Sequence, residues 1–168
     1  LYNIPKKQEP FDTIHVDYCG PFNLMGNNKY LFSVIDGFTK FVKLFVTKKT
    51  DTKEVVRALK EYFRNYSRPR RIISDRGSCC TSTEFAKFAE DYHISHELIA
   101  TGSHQANGQV ERIFRVITPM CAKLKKDDSW HTTLEEVEFV LNNCLQKSIG
   151  MSPSKALFGL EQRGTFKD

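Results

Sequence analysis

The period of the hydrophobic pattern changes at Asp51, and that change limits the fold of this 168-residue chain more than any other feature. Upstream, F-D-T-I-H-V-D-Y (residues 11–18) alternates apolar and polar residues and places Ile14 and Val16 on one face of a strand. K-Y-L-F-S-V-I-D and K-F-V-K-L-F-V are β-branched and aromatic runs joined by D-G-F-T, a hairpin signal with Asp36 and Gly37 at the turn. Downstream, D-T-K-E-V-V-R-A-L-K-E-Y-F-R-N-Y carries apolar residues at 55, 56, 59, 62, 63 and 66. That is a helical stripe, opened by the cap residue Asp51 with Glu54 three positions on.

After Pro69, R-R-I-I-S-D reads as a short strand and S-T-E-F-A-K-F-A-E-D-Y as a capped helix, followed by a short strand around Ile94. A polar loop over 99–108 leads into a helix containing Glu111. W-H-T-T-L-E-E-V-E-F-V-L-N-N-C-L forms a last strong helix with Leu134, Val137, Val140, Leu141 and Cys144 on one face. Three antiparallel strands followed by helix–strand alternation predict one mixed α/β sheet flanked by helices. Residues 1–10, with two prolines and no periodicity, read as an extended lead-in; 11–160 form the domain and 161–168 a tail.

The length suits one domain with its own core, and no apolar run reaches the roughly 18–20 residues of a membrane span. A net charge of +5 permits a nucleic-acid partner without requiring one. The five cysteines are odd in number and form no C-x-x-C pair, so neither a zinc site nor a disulfide framework is indicated. They are expected as inert thiols in a reducing intracellular compartment. His93 and His96 lack further ligands at metal spacing and read as ordinary.

The chemistry lies in the acids. Asp17 is read at the end of the first strand, Asp75 at the end of R-R-I-I-S-D, and Glu111 in the first turns of its helix. An acid at the rim of a core is costly unless paired, hydrogen-bonded or bound to a cation. Asp12 at a strand start, Asp36 at a turn and Asp51 at a helix cap each have a structural explanation. Thirty-five residues separate Asp75 from Glu111.

That spacing, in the contexts H-V-D-Y-C-G-P-F, I-I-S-D-R-G-S and A-N-G-Q-V-E-R, resembles the catalytic core of retroviral-type integrases, and more narrowly that of gypsy-class LTR retrotransposons. V-I-D-G-F-T-K-F and the closing block L-N-N-C-L-Q-K-S-I-G-M-S-P-S-K-A-L-F-G extend the likeness over residues 10–160. The resemblance implies an RNase H-like fold, a five-stranded mixed sheet with helices on both faces. It implies a DNA integrase core, a polynucleotidyl transferase with endonuclease and strand-transfer steps. It further implies two Mg²⁺ or Mn²⁺ ions, with Asp17 bridging both and Asp75 and Glu111 each holding one.

Implied DNA contacts are His104, Gln105, Asn107, Gln109 and Arg115, the last at i+4 from Glu111. R-P-R-R at 68–71 and K-L-K-K at 123–126 read as solvated charge. The expected partners are element and target DNA and a second copy of the chain, with Trp130, Leu134, Val137 and Phe139 as interface contributors. The expected location is nuclear, and the family's upstream zinc domain and downstream DNA-binding domain are expected to be absent from the chain. Pro119 is expected to kink or interrupt the helix of Glu111, and Cys79-Cys80 replaces the small or aromatic residues usual after D-x-G. The alternative reading is a domesticated integrase-fold module that binds DNA or protein without turnover. An RNase H-like ribonuclease is a third and less favoured reading, since those enzymes usually add a fourth acid and lack the closing S-P-x-x-L-F-G-like block.

Overall fold

A computed structural model describes residues 7–24, 27–99, 108–122 and 130–164. Five strands, β1 (Thr13–Leu24), β2 (Asn27–Asp36), β3 (Val42–Thr47), β4 (Arg71–Ser74) and β5 (Ser95–Leu98), form one sheet in the order β3-β2-β1-β4-β5. The β1–β2 and β2–β3 pairs are antiparallel, whereas β1–β4 and β4–β5 are parallel. The mixed sheet is therefore the one the periodicity predicts. Six helices accompany it among the described residues: α1 (Thr52–Asn65), α2 (Ser78–Thr81), α3 (Thr83–Asp91), α4 (Gly108–Ala122), α5 (Trp130–Asn143) and α6 (Pro153–Phe158). None of these is long and apolar enough to cross a membrane.

Alternating strand residues feed two cores, one on each face. Ile14, Val16, Phe32 and Val34 pack with Val55, Leu59 and Tyr62 of α1 and with Phe85 and Phe88 of α3. Leu31, Ile35, Val42 and Leu44 pack with Val110, Ile113 and Ile117 of α4 and Leu134, Val137 and Leu141 of α5. Local chemistry ends the elements where the sequence indicates. Asp51 accepts a bond from the Glu54 amide at 3.0 Å. Ser152 caps α6 through the Lys155 amide, Pro153 stands at its first turn, and Gly159 closes it with φ +75°. Asp36 accepts bonds from the Thr39 amide and hydroxyl, as a turn acid should, and also from the Phe11 amide at 2.8 Å.

Several expectations change. β1 does not end at Asp17: it crosses a cis Gly20–Pro21 bond with a register shift and resumes pairing from Phe22 to Leu24. The proline sits at the irregularity, where no ladder donor is required. α4 is not interrupted at Pro119, because Ile117 and Cys121 on either side are buried in the second core. Val140 is 44% exposed and Cys144 is also exposed, so the apolar stripe of α5 is narrower than predicted. Leu134 and Val137 are buried in the second core. Arg71 is buried beside Glu97, and Arg70 pairs with the buried Asp12 at 3.3 Å, so R-P-R-R is not a uniformly solvated run.

Candidate active site

The two aspartates are brought together by strand pairing. β1 and β4 run parallel with His15 beside Ile73, and continuing that register by two residues sets Asp75 beside Asp17. Neighbouring strands lie about 4.8 Å apart, and residues in register point to the same face. The Asp17 carboxylate accepts the Tyr18 amide at 2.9 Å. Asp75, one residue past β4, accepts the Gly77 amide at 2.9 Å, which shapes the turn into α2. A β-carbon at Gly77 would stand 3.0 Å from that Asp75 oxygen, so glycine allows the close approach. Behind Asp75, the Ser74 hydroxyl bonds the Asp75 carbonyl at 3.0 Å and lies 2.7 Å from His96 Nε2. His96 packs edge-on against Phe85 and serves the core, as expected of an ordinary histidine.

Burial, and next the negative charge of Asp75, push the Asp17 carboxyl up from 3.8 to about 6, with the Tyr18 amide opposing. Neither aspartate has a salt-bridge partner among the described residues. Both line a cavity of about 200 Å³ whose walls include Tyr18, Phe32, Thr50 and Cys79. Phe32 and Thr50 carry no motif and meet the aspartates only through the fold, while Tyr18 and Cys79 stand in or beside the motif contexts of the aspartates without a place in the predicted site. Cys80 completes the wall next to Cys79. A larger groove of about 460 Å³, between α1 and Tyr92, holds no carboxylate.

Glu111 sits in the first turn of α4 and is half-buried. Its carboxylate lies 3.7 Å from the Arg115 guanidinium, one turn on, and Arg115 is 71% exposed. α4 is seated against β1 further along: burial pushes the Cys19 thiol up to about 11, with the Thr118 hydroxyl of α4 opposing. Among the described residues no three His, Cys, Asp or Glu side chains stand close enough to share a metal ion. Glu111 therefore does not close onto the aspartate pair in this structure. Gln109 is exposed in the same first turn, whereas His104, Gln105 and Asn107 lie outside the described residues, as do 123–126.

The donor chemistry nonetheless suits a hard divalent cation. Two hard carboxylates side by side, one disfavoured as an anion by burial and by its neighbour, leave a charge that such a cation would neutralise. Residues 7–104 match the integrase core domain family. The chain belongs to the integrase core domain family, within the retroviral integrase superfamily.

Its sheet and flanking helices are an RNase H-like fold. The integrase core is 32% identical over 160 residues to the Pro-Pol polyprotein of simian foamy virus type 3 (strain LK3), covering 94% of this chain and 14% of that protein. The chain thus spans about a seventh of that relative. The simian T-cell lymphotropic virus intasome in complex with PP2A regulatory subunit B56 gamma superposes with a TM-score of 0.77 at 18% identity, covering 99% of this chain and 60% of that one. The HTLV-2 integrase catalytic core domain in complex with magnesium superposes at 0.70 and 21% identity, covering 88% of this chain and 97% of that one.

Proposed function

We propose that this integrase core is a DNA polynucleotidyl transferase of gypsy-class type that trims element 3′ ends and joins them to target DNA. The observation that carries the reading is that Asp17 and Asp75 line one cavity, close enough for the charge of Asp75 to act on Asp17, in a chain of this family. Asp17, Asp75 and Glu111 are the residues that would hold two Mg²⁺ or Mn²⁺ ions, and the magnesium complex of the HTLV-2 core supports that choice. When bound, the cations supply Lewis acidity and neutralise charge at the phosphoryl oxygens. The protein's own part is to hold two carboxylates, one on β1 and one at the end of β4, against one cavity, so that little reorganisation of this pair accompanies binding. Glu111 would join them by movement of α4 or of its side chain away from Arg115. Arg115, released from Glu111, would be free to meet a DNA phosphate, with Gln109 and with His104, Gln105 and Asn107 of the preceding segment.

Residues 11–160 make up the working domain in this reading, with 1–10 a lead-in and 161–168 a tail. The partners are element and target DNA and at least a second copy of the chain. The place of action is the nucleus. A second reading, a DNA- or protein-binding module without turnover, is favoured by the Glu111–Arg115 pair standing apart from the aspartates. Strand rejoining on a branched DNA that mimics an integration product separates the two. Rejoining that needs Mg²⁺ or Mn²⁺ and disappears in Glu111→Gln supports the transferase. Folded wild-type protein that binds the branched DNA but stays inert with both metals establishes the binding module.

A further inference from the structure

The carboxylate cavity has a second chemistry in its wall. Cys79 and Cys80, consecutive residues of α2, both line it, and their sulfur atoms lie 3.6 Å apart. Both are free thiols, and neither has a part in holding a hard cation. From the placement of this dithiol we infer that Cys79 and Cys80 are a reversible oxidation site for small hydroperoxides, and that forming the disulfide displaces Asp75. The first half stands on the two sulfurs alone; the effect on DNA joining rests on the function proposed above.

The step balances without a further reactant. Cys79, the more open of the two, attacks the peroxide oxygen; the O–O bond breaks, water or an alcohol leaves, and a sulfenic acid remains. The Cys80 sulfur then attacks that sulfur, the S–O bond breaks, and the departing hydroxide takes the Cys80 proton to leave as water. Two thiols lose two protons and two electrons, and the hydroperoxide is reduced.

The backbone carries the consequence. Adjacent Cα atoms are about 3.8 Å apart, closer than the roughly 4.4–6.8 Å that disulfides prefer. The new bond therefore forces the α2 backbone out of its helical form, and the same strain makes the bond easy to reduce. α2 is tied directly to the site. The Cys80 amide donates to the Gly77 carbonyl at 3.0 Å, and the Gly77 amide donates to the Asp75 carboxylate at 2.9 Å. On the other side the Thr52 hydroxyl donates to the Cys79 carbonyl at 3.1 Å, so α1 resists the shift and directs it toward the Asp75 turn.

The test treats the whole chain with hydrogen peroxide, then dithiothreitol, and follows tryptic peptide 77–87 by mass spectrometry and amide exchange over 75–81. The expected result is loss of two hydrogens from that peptide, faster exchange over 75–81, and recovery of both on reduction. Cys80→Ser is expected to show only oxygen adducts on Cys79; Cys79→Ser serves as the second variant should the first fail to fold. Rejoining of branched DNA should fall about tenfold or more on oxidation, a barrier change of roughly 1.4 kcal/mol, and return with dithiothreitol. An unmodified peptide at a dose that oxidises the exposed Cys144 overturns the inference. So does a fully oxidised peptide with unchanged exchange at 75–81. If the reduced protein never rejoins DNA, the proposed function fails, while the peptide and exchange readouts still decide the dithiol.

Discussion

Asp17 and Asp75 face the same cavity because β1 and β4 are parallel and in register, His15 beside Ile73, two residues before the acids. Asp17 lies on β1 and Asp75 one residue past β4, so the pairing of the two strands brings the carboxylates together. Burial, and after it the neighbouring charge of Asp75, make ionising Asp17 costly in the folded protein.

That cost has a definite pH dependence. Between 3.8 and about 6 the folded protein binds the Asp17 proton more tightly than the unfolded chain does. Stability from this group is complete below the unfolded value and is lost as pH rises through about 6. The ionised group then costs up to about 3 kcal/mol. Asp17→Asn is expected to melt higher than wild type at pH 7.5, with the gain vanishing near pH 4. Millimolar Mg²⁺ is expected to raise the wild-type melting temperature at pH 7.5 and leave that of Asp17→Asn unmoved. Thermal melts across this pH range, with and without Mg²⁺, check both.

The Glu111–Arg115 pair should contribute little to stability. Arg115 is 71% exposed, and solvent-exposed i,i+4 pairs are worth about 0.3–0.5 kcal/mol at most. Arg115→Ala is expected to shift melting by no more than a degree or two. Its effect should appear in DNA binding as a weaker affinity with a salt slope reduced by about one. Fluorescence anisotropy over a salt series measures it.

The open edge of the sheet is closed by two side chains of α5. Asn142 accepts the Val42 amide at 2.7 Å and donates to the Val42 carbonyl at 2.8 Å. Glu138, one turn earlier, accepts the Leu44 amide at 2.8 Å and pairs with Lys43. Since β3 is an edge strand, these bonds do the work of a missing neighbour. Asn142→Ala would leave a buried donor and acceptor unmet, at a cost of about 2–4 kcal/mol. Chemical denaturation should show a lower midpoint, with aggregation on prolonged incubation.

Pro119 denies α4 one backbone bond near its C-terminal end, and its own side chain is exposed. Pro119→Ala restores the donor without touching either core and is expected to stabilise the fold by about 1–3 kcal/mol. A denaturation midpoint that stays the same or falls would mean that the ring packs favourably where it is.

The capped start of α1 could be read directly from residues 51–66, whereas the Ser152 cap, Pro153 and Gly159 of α6 use the same local chemistry without having been singled out. Each depends on contacts within one turn: a cap oxygen three residues from its amide, a proline at the first turn, a glycine where φ is positive. The acids Asp36 and Asp51 were legible for the same reason. Asp12 and Arg71 were not: their burial depends on where β4 meets the first strand. Nor was the width of the α5 stripe, because the helical period marks Val140 as apolar but cannot tell how far the second core extends.

By itself the sequence determined the list of elements, the two-faced pattern of the strands and the three acids with their spacing, all properties of short stretches of chain. Only the tertiary structure decided that Asp17 of β1 and Asp75 just past β4 line one cavity, that Glu111 lies beside Arg115 apart from them, and that Asn142 completes a strand 100 residues away. These depend on strand register and helix seating, which buried surface from the whole chain sets together.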